Sequence, residues 1–227
     1  PDVRTSLAGL TRVTTDSYVL EGELVRLERL RRRDVPVTED NVRAASASAE
    51  QHVLRAQLPD GKFRYTLEPF TGVADTQAFS LPRQAGVTLV LCELGSRSSE
   101  VELAIERSLG LMQSFKREGT PRALSYDAAD PRISLGPNAL PLVAFLSCSE
   151  RTGFAFDATI AQLAEFVLGL QREDGGFNPA YDSAAASVIA GQEPLYTGGQ
   201  AVLALVLLEQ RQRERPSAEL PDAARVQ

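Results

Sequence analysis

The chain has 227 residues, 43% of them hydrophobic and 24% charged, which is long and apolar enough for one large domain or two small ones with a substantial core. A net charge of -6 and an isoelectric point near 5.0 exclude a broad nucleic-acid or anionic-membrane surface, since both require clustered positive charge. No stretch approaches the roughly 20 continuous apolar residues of a membrane-spanning helix, so no membrane partner is expected, and nothing in the chain assigns a compartment.

Residues 1–37 read as an N-terminal segment. Val19, Leu20, Leu24, Val25, Leu27 and Leu30 predict a helix over about 17–33 with an irregular apolar face, although Tyr18 also suits an extended segment. From Thr38 to Gln57, Val42, Ala45, Ala49, Val53 and Ala56 recur at steps of three and four, the mark of an amphipathic helix. Asp60-Gly61 then turns the chain, Phe63 to Leu67 alternates like a short strand, and a loop reaching Pro82 leads to an apolar helix over Val87 to Leu94.

A second unit follows. Ser99 with Glu102 makes a capping-box pattern ahead of an apolar stripe from Val101 to Phe115, and a loop holding Tyr126, Asp127 and Asp130 precedes an apolar helix over Leu140 to Cys148. Asn138 is expected to cap that helix, which makes Pro141 tolerable in its first turn. In the third unit Asp157 is the expected cap of a helix through Ile160, Leu163, Ala164, Val167 and Leu170, and Gln200-Ala201 opens an apolar helix over Val202 to Leu208. Residues 211–227 read as a charged, flexible tail. Cys92 and Cys148 supply neither a disulfide framework nor metal-ligand spacing, and each reads as a small hydrophobe buried in an apolar helix.

One phrase organises the units. Gln57 to Phe63 and Gln171 to Phe177 both spell Q-x-x-D-G-x-F, and a worn copy begins at Gln113, followed by Phe115, Glu118 and Gly119. Each unit pairs an amphipathic helix with one that is apolar nearly all round, which predicts an outer and an inner layer. These turns, with R-Q-A-G, G-P-N-A and G-G-Q-A at the starts of the apolar helices, resemble the helical-hairpin repeats of α/α-toroid proteins. That group includes the six-hairpin glycosidase-like and sugar-epimerase-like proteins and, more distantly, the terpenoid cyclases and protein prenyltransferases. The resemblance implies an all-α fold over residues 38–210, a partial or complete α/α toroid with short β-like loop segments. Such toroids close with six or so hairpins, and the three counted here imply a second subunit or further chain completing the ring. The D-x-D-D acid motif of terpenoid cyclases and the zinc-binding cysteine and histidine set of prenyltransferases are both missing.

Toroid kinship points to a carbohydrate-directed enzyme, or a domain of one, of glycosidase, epimerase or lyase type. Such chemistry needs paired acids, and the loops offer Asp127, Asp182 and Glu193 as catalytic candidates. Tyr65, Tyr126, Tyr181 and Tyr196 would contact a sugar or other polar small molecule, and Arg83, Gln84, Asn138 and Gln200 would ring the mouth at the inner-helix starts. Plainer roles compete: Asp60 and Asp174 form turns beside glycine, loop tyrosines cover the ends of helices, and the amides cap helix starts, while Arg83 calls for an anionic partner, either an acid of the protein or a ligand carboxylate. The lack of tryptophan weighs against a sugar platform. The competing readings are a non-catalytic α/α repeat module that binds a protein or peptide, and a structural segment of a larger chain. No metal or cofactor is expected, since His52 stands alone in the first amphipathic helix.

Overall fold

The computed structural model describes residues 17–27, 37–68, 70–117, 122–192 and 195–221. It divides into two compact units, residues 1–46 and 47–227.

In the first unit, strand β1 (Ser17–Glu21) pairs antiparallel with β2 (Glu23–Leu27), Val19 standing opposite Val25. This corrects the expected helix over 17–33, of which residues 28–33 lie outside the described residues. Tyr, Val and Leu side chains suit a pleated strand, and Gly22, with φ +79°, supplies a left-handed turn that other residues resist. Helix α1 (Glu39–Ala56) starts here and ends in the second unit. Thr38 Oγ1 accepts the Asn41 N–H at 3.2 Å, and Glu39 and Asp40 complement the positive end of the helix dipole.

The second unit contains helices α2 (Leu81–Leu94), α3 (Ser99–Ser114), α4 (Gly136–Ser147), α5 (Asp157–Gly169) and α6 (Leu195–Glu214). α4 lies between α2 and α6, while α3 packs on α2, and α5 packs on α4 and α6. The apolar helices thus sit side by side and the amphipathic ones back them. α4 is enclosed along nearly its whole length, with Leu142, Val143, Ala144 and Phe145 in the centre of the core. No helix among the described residues is long and apolar enough to cross a membrane.

The all-α expectation is overturned: the chain is mixed α/β, with the six helices accompanied by three small antiparallel sheets among the described residues. Beyond the β1-β2 hairpin, β3 (Thr66–Leu67) pairs with β4 (Ala74–Asp75), and β5 (Arg132–Ser134), β6 (Ala180–Asp182) and β7 (Ser187–Ile189) form a sheet in the order β5-β6-β7. The long loops after α3 and α5 pair their backbone groups with each other, which a partly covered loop must do to satisfy them. Ile133, Tyr181 and Val188 align across this sheet on one face, and Ile133 is buried in the core.

Several caps differ from expectation. Ser98, not Ser99, caps α3, accepting the Val101 N–H at 3.3 Å. Glu102 turns to Arg151, at 3.2 Å, instead of closing a capping box. Asp157 is the first helical residue of α5 with Phe156 at the cap position, and its carboxylate pairs with Arg211 at 3.2 Å. α4 starts two residues before Asn138, so Pro141 lies within the helix.

Cys92 of α2 and Cys148, at the end of α4, form a disulfide with their Cα atoms 5.3 Å apart. The two cysteines are buried as expected, but each packs against the other sulfur. Beyond α4, the Phe154 ring is stacked by the guanidinium groups of Arg211 and Arg215 at 4.5 and 3.7 Å. In the segment expected as a tail, α6 continues to Glu214, the Gln212 amide donates to the carbonyls of Ser217, Leu220 and Pro221, and Leu220 is buried.

Candidate functional site

The end of the second unit where the outer helices finish and the inner ones begin is built three times over. Isolated β-bridges join Gln57 to Phe63, Lys116 to Leu124 and Gln171 to Phe177. The residue after each bridge, Arg64, Ser125 or Asn178, donates its N–H to the last carbonyl of the preceding outer segment, Ala56, Phe115 or Leu170, at 2.8 to 2.9 Å. The middle copy is therefore centred on Lys116, and Leu124 takes the buried place of phenylalanine. Gln113 instead donates to Thr159 Oγ1 at 2.9 Å, while Glu118 and Gly119 lie outside the described residues.

Two of the polar residues expected to ring a mouth are fasteners for these turns. Gln84 accepts the Phe63 N–H at 3.0 Å and donates to the Gly61 carbonyl and Ser108 Oγ at 2.8 and 2.6 Å. Asn138 repeats the device: its Oδ1 accepts the Leu124 N–H at 2.7 Å, and its Nδ2 donates to the carbonyls of Leu124 and Ser134. Both side chains are buried and their amides fully engaged. Gln200, half-buried, stands at the corresponding place on α6.

Tyr65 and Arg83 come together, the guanidinium lying 4.4 Å from the ring centroid. Arg83 thus meets an aromatic face where an anion was expected. They line a cavity of about 160 Å³ with Phe63, Phe79 and Val87. Tyr126 belongs to an adjoining aromatic cluster, its ring 4.9 Å from Phe79 and 5.4 Å from Phe115. Tyr196 is largely exposed on α6.

Asp127 accepts the Ala129 N–H at 2.9 Å, and Asp182 accepts those of Ala184 and Ala185 at 2.9 and 3.0 Å, so each closes a local turn. Glu193 lies outside the described residues. Two carboxyl groups elsewhere are held below their ordinary range. Asp174 is lowered first by its hydrogen bond with Arg172 and then by the Gly176 N–H, and Glu68 by the Thr71 hydroxyl and N–H. Among the described residues no group of three or more His, Cys, Asp or Glu side chains could hold a metal ion.

Tyr181 belongs to a different cleft. α5 turns Ile160, Leu163, Ala164 and Val167 into the core, which leaves the adjacent stripe of Gln162, Glu165, Phe166 and Gly169 beside the sheet. Opposite stand Tyr181 of β6 and Val188 of β7, with Arg122 also in the lining, around a volume of about 350 Å³. Gly169 has no side chain to fill the space. The Oε1 atom of Gln162 is buried and has no hydrogen-bond partner among the described residues, an unmet acceptor of the kind folded proteins rarely leave. Gln162, Glu165 and Arg122 escape a sequence reading because they look like the solvated face of an outer helix and an ordinary loop arginine. Their only signal is that Gln162, Glu165, Phe166 and Gly169 share a stripe at helical spacing. No family model matches this chain, and no curated protein or solved structure shows significant similarity to it.

Proposed function

We propose that this chain is a non-catalytic helical-repeat module that binds a peptide segment of a partner protein in the cleft between α5 and the β5-β6-β7 sheet. The observation that carries this reading is the cleft's chemistry. Val188 and the Tyr181 ring offer apolar surface over a floor of the core residues Phe166 and Leu170, and Arg122 and Glu165 add charge at the lining. A peptide brings complements to both, an apolar side chain to bury and polar or charged groups along its backbone and neighbours.

A carbohydrate-directed enzyme would require two acids poised over one bond. Asp127 and Asp182 instead each commit an oxygen to turn N–H groups, and Gln84 and Asn138 have no free amide atoms for hydroxyls. Kinship with α/α-toroid repeat proteins enters this proposal only through the turn phrases and does not bear on the ligand.

The test is a peptide-array screen with the intact chain and with Val188→Arg, which fills the cleft from a part-exposed position without disturbing the core. The expected result is a family of peptides bound by the parent and lost in the variant, with circular dichroism unchanged. Identical profiles for the two proteins would refute the assignment of the cleft.

A further inference from the structure

We infer that two copies of this chain pair through the face of the inner helices that the outer helices leave uncovered. Gln84 and Thr88 of α2 reach Ser108 of α3, whereas Val90 and Leu94, on the opposite side of α2, are 51% and 73% exposed. On α6, Val202, Leu203 and Val206 are 46% to 52% exposed. Counted from Gln84 and Gln200, which hold corresponding places, these three match Gly86, Val87 and Val90. The exposed residues of α2 and α6 are therefore the same positions of the repeat, on the same side of the layer. Counted from Asn138, the matching residues of α4 include Leu140, part-buried, and Ala144, buried. An aliphatic strip thus crosses all three inner helices, and an exposed strip of this kind marks an interaction surface.

The strip is complementary to itself. A two-fold axis lying across the helices, level with Thr88, Leu142 and Ala204, sets each inner helix antiparallel to its counterpart in the second copy. Arg83 then stands level with Glu93 of the other copy, twice per dimer, and both residues are exposed. The Arg83 guanidinium stacks on the Tyr65 ring, and a stacked guanidinium still donates in its own plane. The same axis sets Val90 against Gly86, where a Cβ would meet no atom within 4 Å, so a knob faces a hole. It also sets Leu140 against Ala144 and Val202 against Val206. One axis therefore matches charge on α2 and bulk on all three helices, and the antiparallel helix dipoles attract. Three helices spaced by about 9 Å, over the roughly 20 Å length of α2, present on the order of 500 Å² in projection, so two copies cover roughly 1,000 Å², the least that a specific interface needs.

The experiment is sedimentation velocity and native mass spectrometry on the whole chain and three variants. The parent is expected to be a dimer at micromolar concentrations. Val206→Glu, at a half-exposed position, is expected to be monomeric with unchanged circular dichroism. Glu93→Arg and Arg83→Glu are each expected to self-associate at least tenfold more weakly than the parent, because each sets like charges opposite one another. An equimolar mixture of these two variants is expected to form the heterodimer with close to parental affinity, since both charge pairs are then restored. A variant that merely misfolds would not be rescued by its oppositely charged counterpart. A parent that stays monomeric at high micromolar concentration would overturn the inference and leave the face to a different protein. A dimer that survives Val206→Glu would overturn it by placing the interface elsewhere. Single variants that fail to associate on mixing would overturn the antiparallel two-fold.

Discussion

Removing the Cys92–Cys148 link tests the central packing of the second unit most directly. The disulfide closes a loop with a sequence separation of 56 between two inner helices. Treated as loss of loop-closure entropy in the unfolded chain, a loop of this size stabilises the folded state by about 4 kcal/mol at 25 °C. A domain of 150–250 residues shifts by roughly 2–4 °C per kcal/mol, so Cys92→Ala/Cys148→Ala is expected to melt roughly 8–16 °C below the parent. Alanine leaves only a small void at either site, so most of the loss should come from the missing link. The assay is thermal and urea unfolding under non-reducing conditions, with thiols counted in denaturant before and after reduction. Cys148 is fully buried and Cys92 nearly so, so dithiothreitol should reduce the bond only as fast as the core opens. A double variant melting within about 2 °C of the parent would refute the entropic account. Two reactive thiols in the unreduced, denatured protein would refute the bond itself.

Asn138→Ala removes three hydrogen bonds, two of them buried, that fasten Leu124 and Ser134 to α4, and should cost roughly 2–4 kcal/mol in urea unfolding without altering the m-value. Gly61→Ala should destabilise by roughly twice as much as Gly175→Ala. Both glycines have left-handed backbones, for which an alanine costs about 1–2 kcal/mol, but a Cβ at Gly61 would also strike the Arg107 carbonyl whereas Gly175 faces open space. Arg211→Met should cost roughly 3–5 kcal/mol because it strands the part-buried Asp157 carboxylate, whereas Arg43→Met, on an exposed i,i+4 pair, should cost no more than about 0.5 kcal/mol. In native-state hydrogen exchange the amides of α4 should open only with global unfolding and those of α1 much sooner, since α1 contains no buried residue; equal protection of the two helices would contradict the packing described.

The helices themselves and the buried faces of α3, α4 and α5 were legible because burial writes itself into apolar spacing, whereas the apolar spacing of α1 buries no residue and α2 and α6 leave Val90, Leu94, Val202 and Val206 exposed. Val101, Ala104, Ile105, Leu109 and Met112 of α3 are all buried, and α4 is apolar because it is covered on every side. Most of the strands were not legible for the same reason reversed, although β3 falls within the alternating segment from Phe63 to Leu67. β5 and β6 are three residues long and pair across nearly 50 positions of sequence, so no local periodicity announces them. The disulfide was hidden likewise: two cysteines on different helices have no spacing to read. The turn phrase was visible, yet its middle copy was misplaced by three residues because Gln113 resembles Gln57 in type while Lys116 matches it in geometry. Backbone position outlasts side-chain identity where the work is done by main-chain N–H and C=O groups. The acids of the candidate site drew notice as chemistry, but an aspartate two residues before an unpaired N–H is also the commonest turn device, and that is how Asp127 and Asp182 are used.

The cleft is positioned by the same fasteners that build the scaffold. One wall is α5, whose opposite face is locked into the core through Ile160, Leu163 and Val167. The other is a sheet drawn from two different repeat loops, and such a sheet would be marginal alone. It is held in three places. Asn138 of α4 grips the Ser134 carbonyl of β5, the Leu135 N–H donates to the Pro179 carbonyl just before β6, and Ser183, just after β6, donates through its N–H and Oγ to the Pro131 carbonyl. Because Asn138 simultaneously grips Leu124, the loop that leads from Arg122 is tied to the same buried helix. Both walls are thus referenced to α4, the most enclosed element of the fold. A ligand entering between them would not have to order the strands first, and binding energy would not be spent on folding the site. The two turn fasteners differ in consequence for this reason. Gln84 closes its turn beside Tyr65 and Arg83, which stack on one another, whereas Asn138 closes its turn beside a sheet that leaves a gap against α5. The repeat supplies similar supports, and the unequal loops that hang from them make one end an aromatic patch around a small cavity and the other a larger cleft.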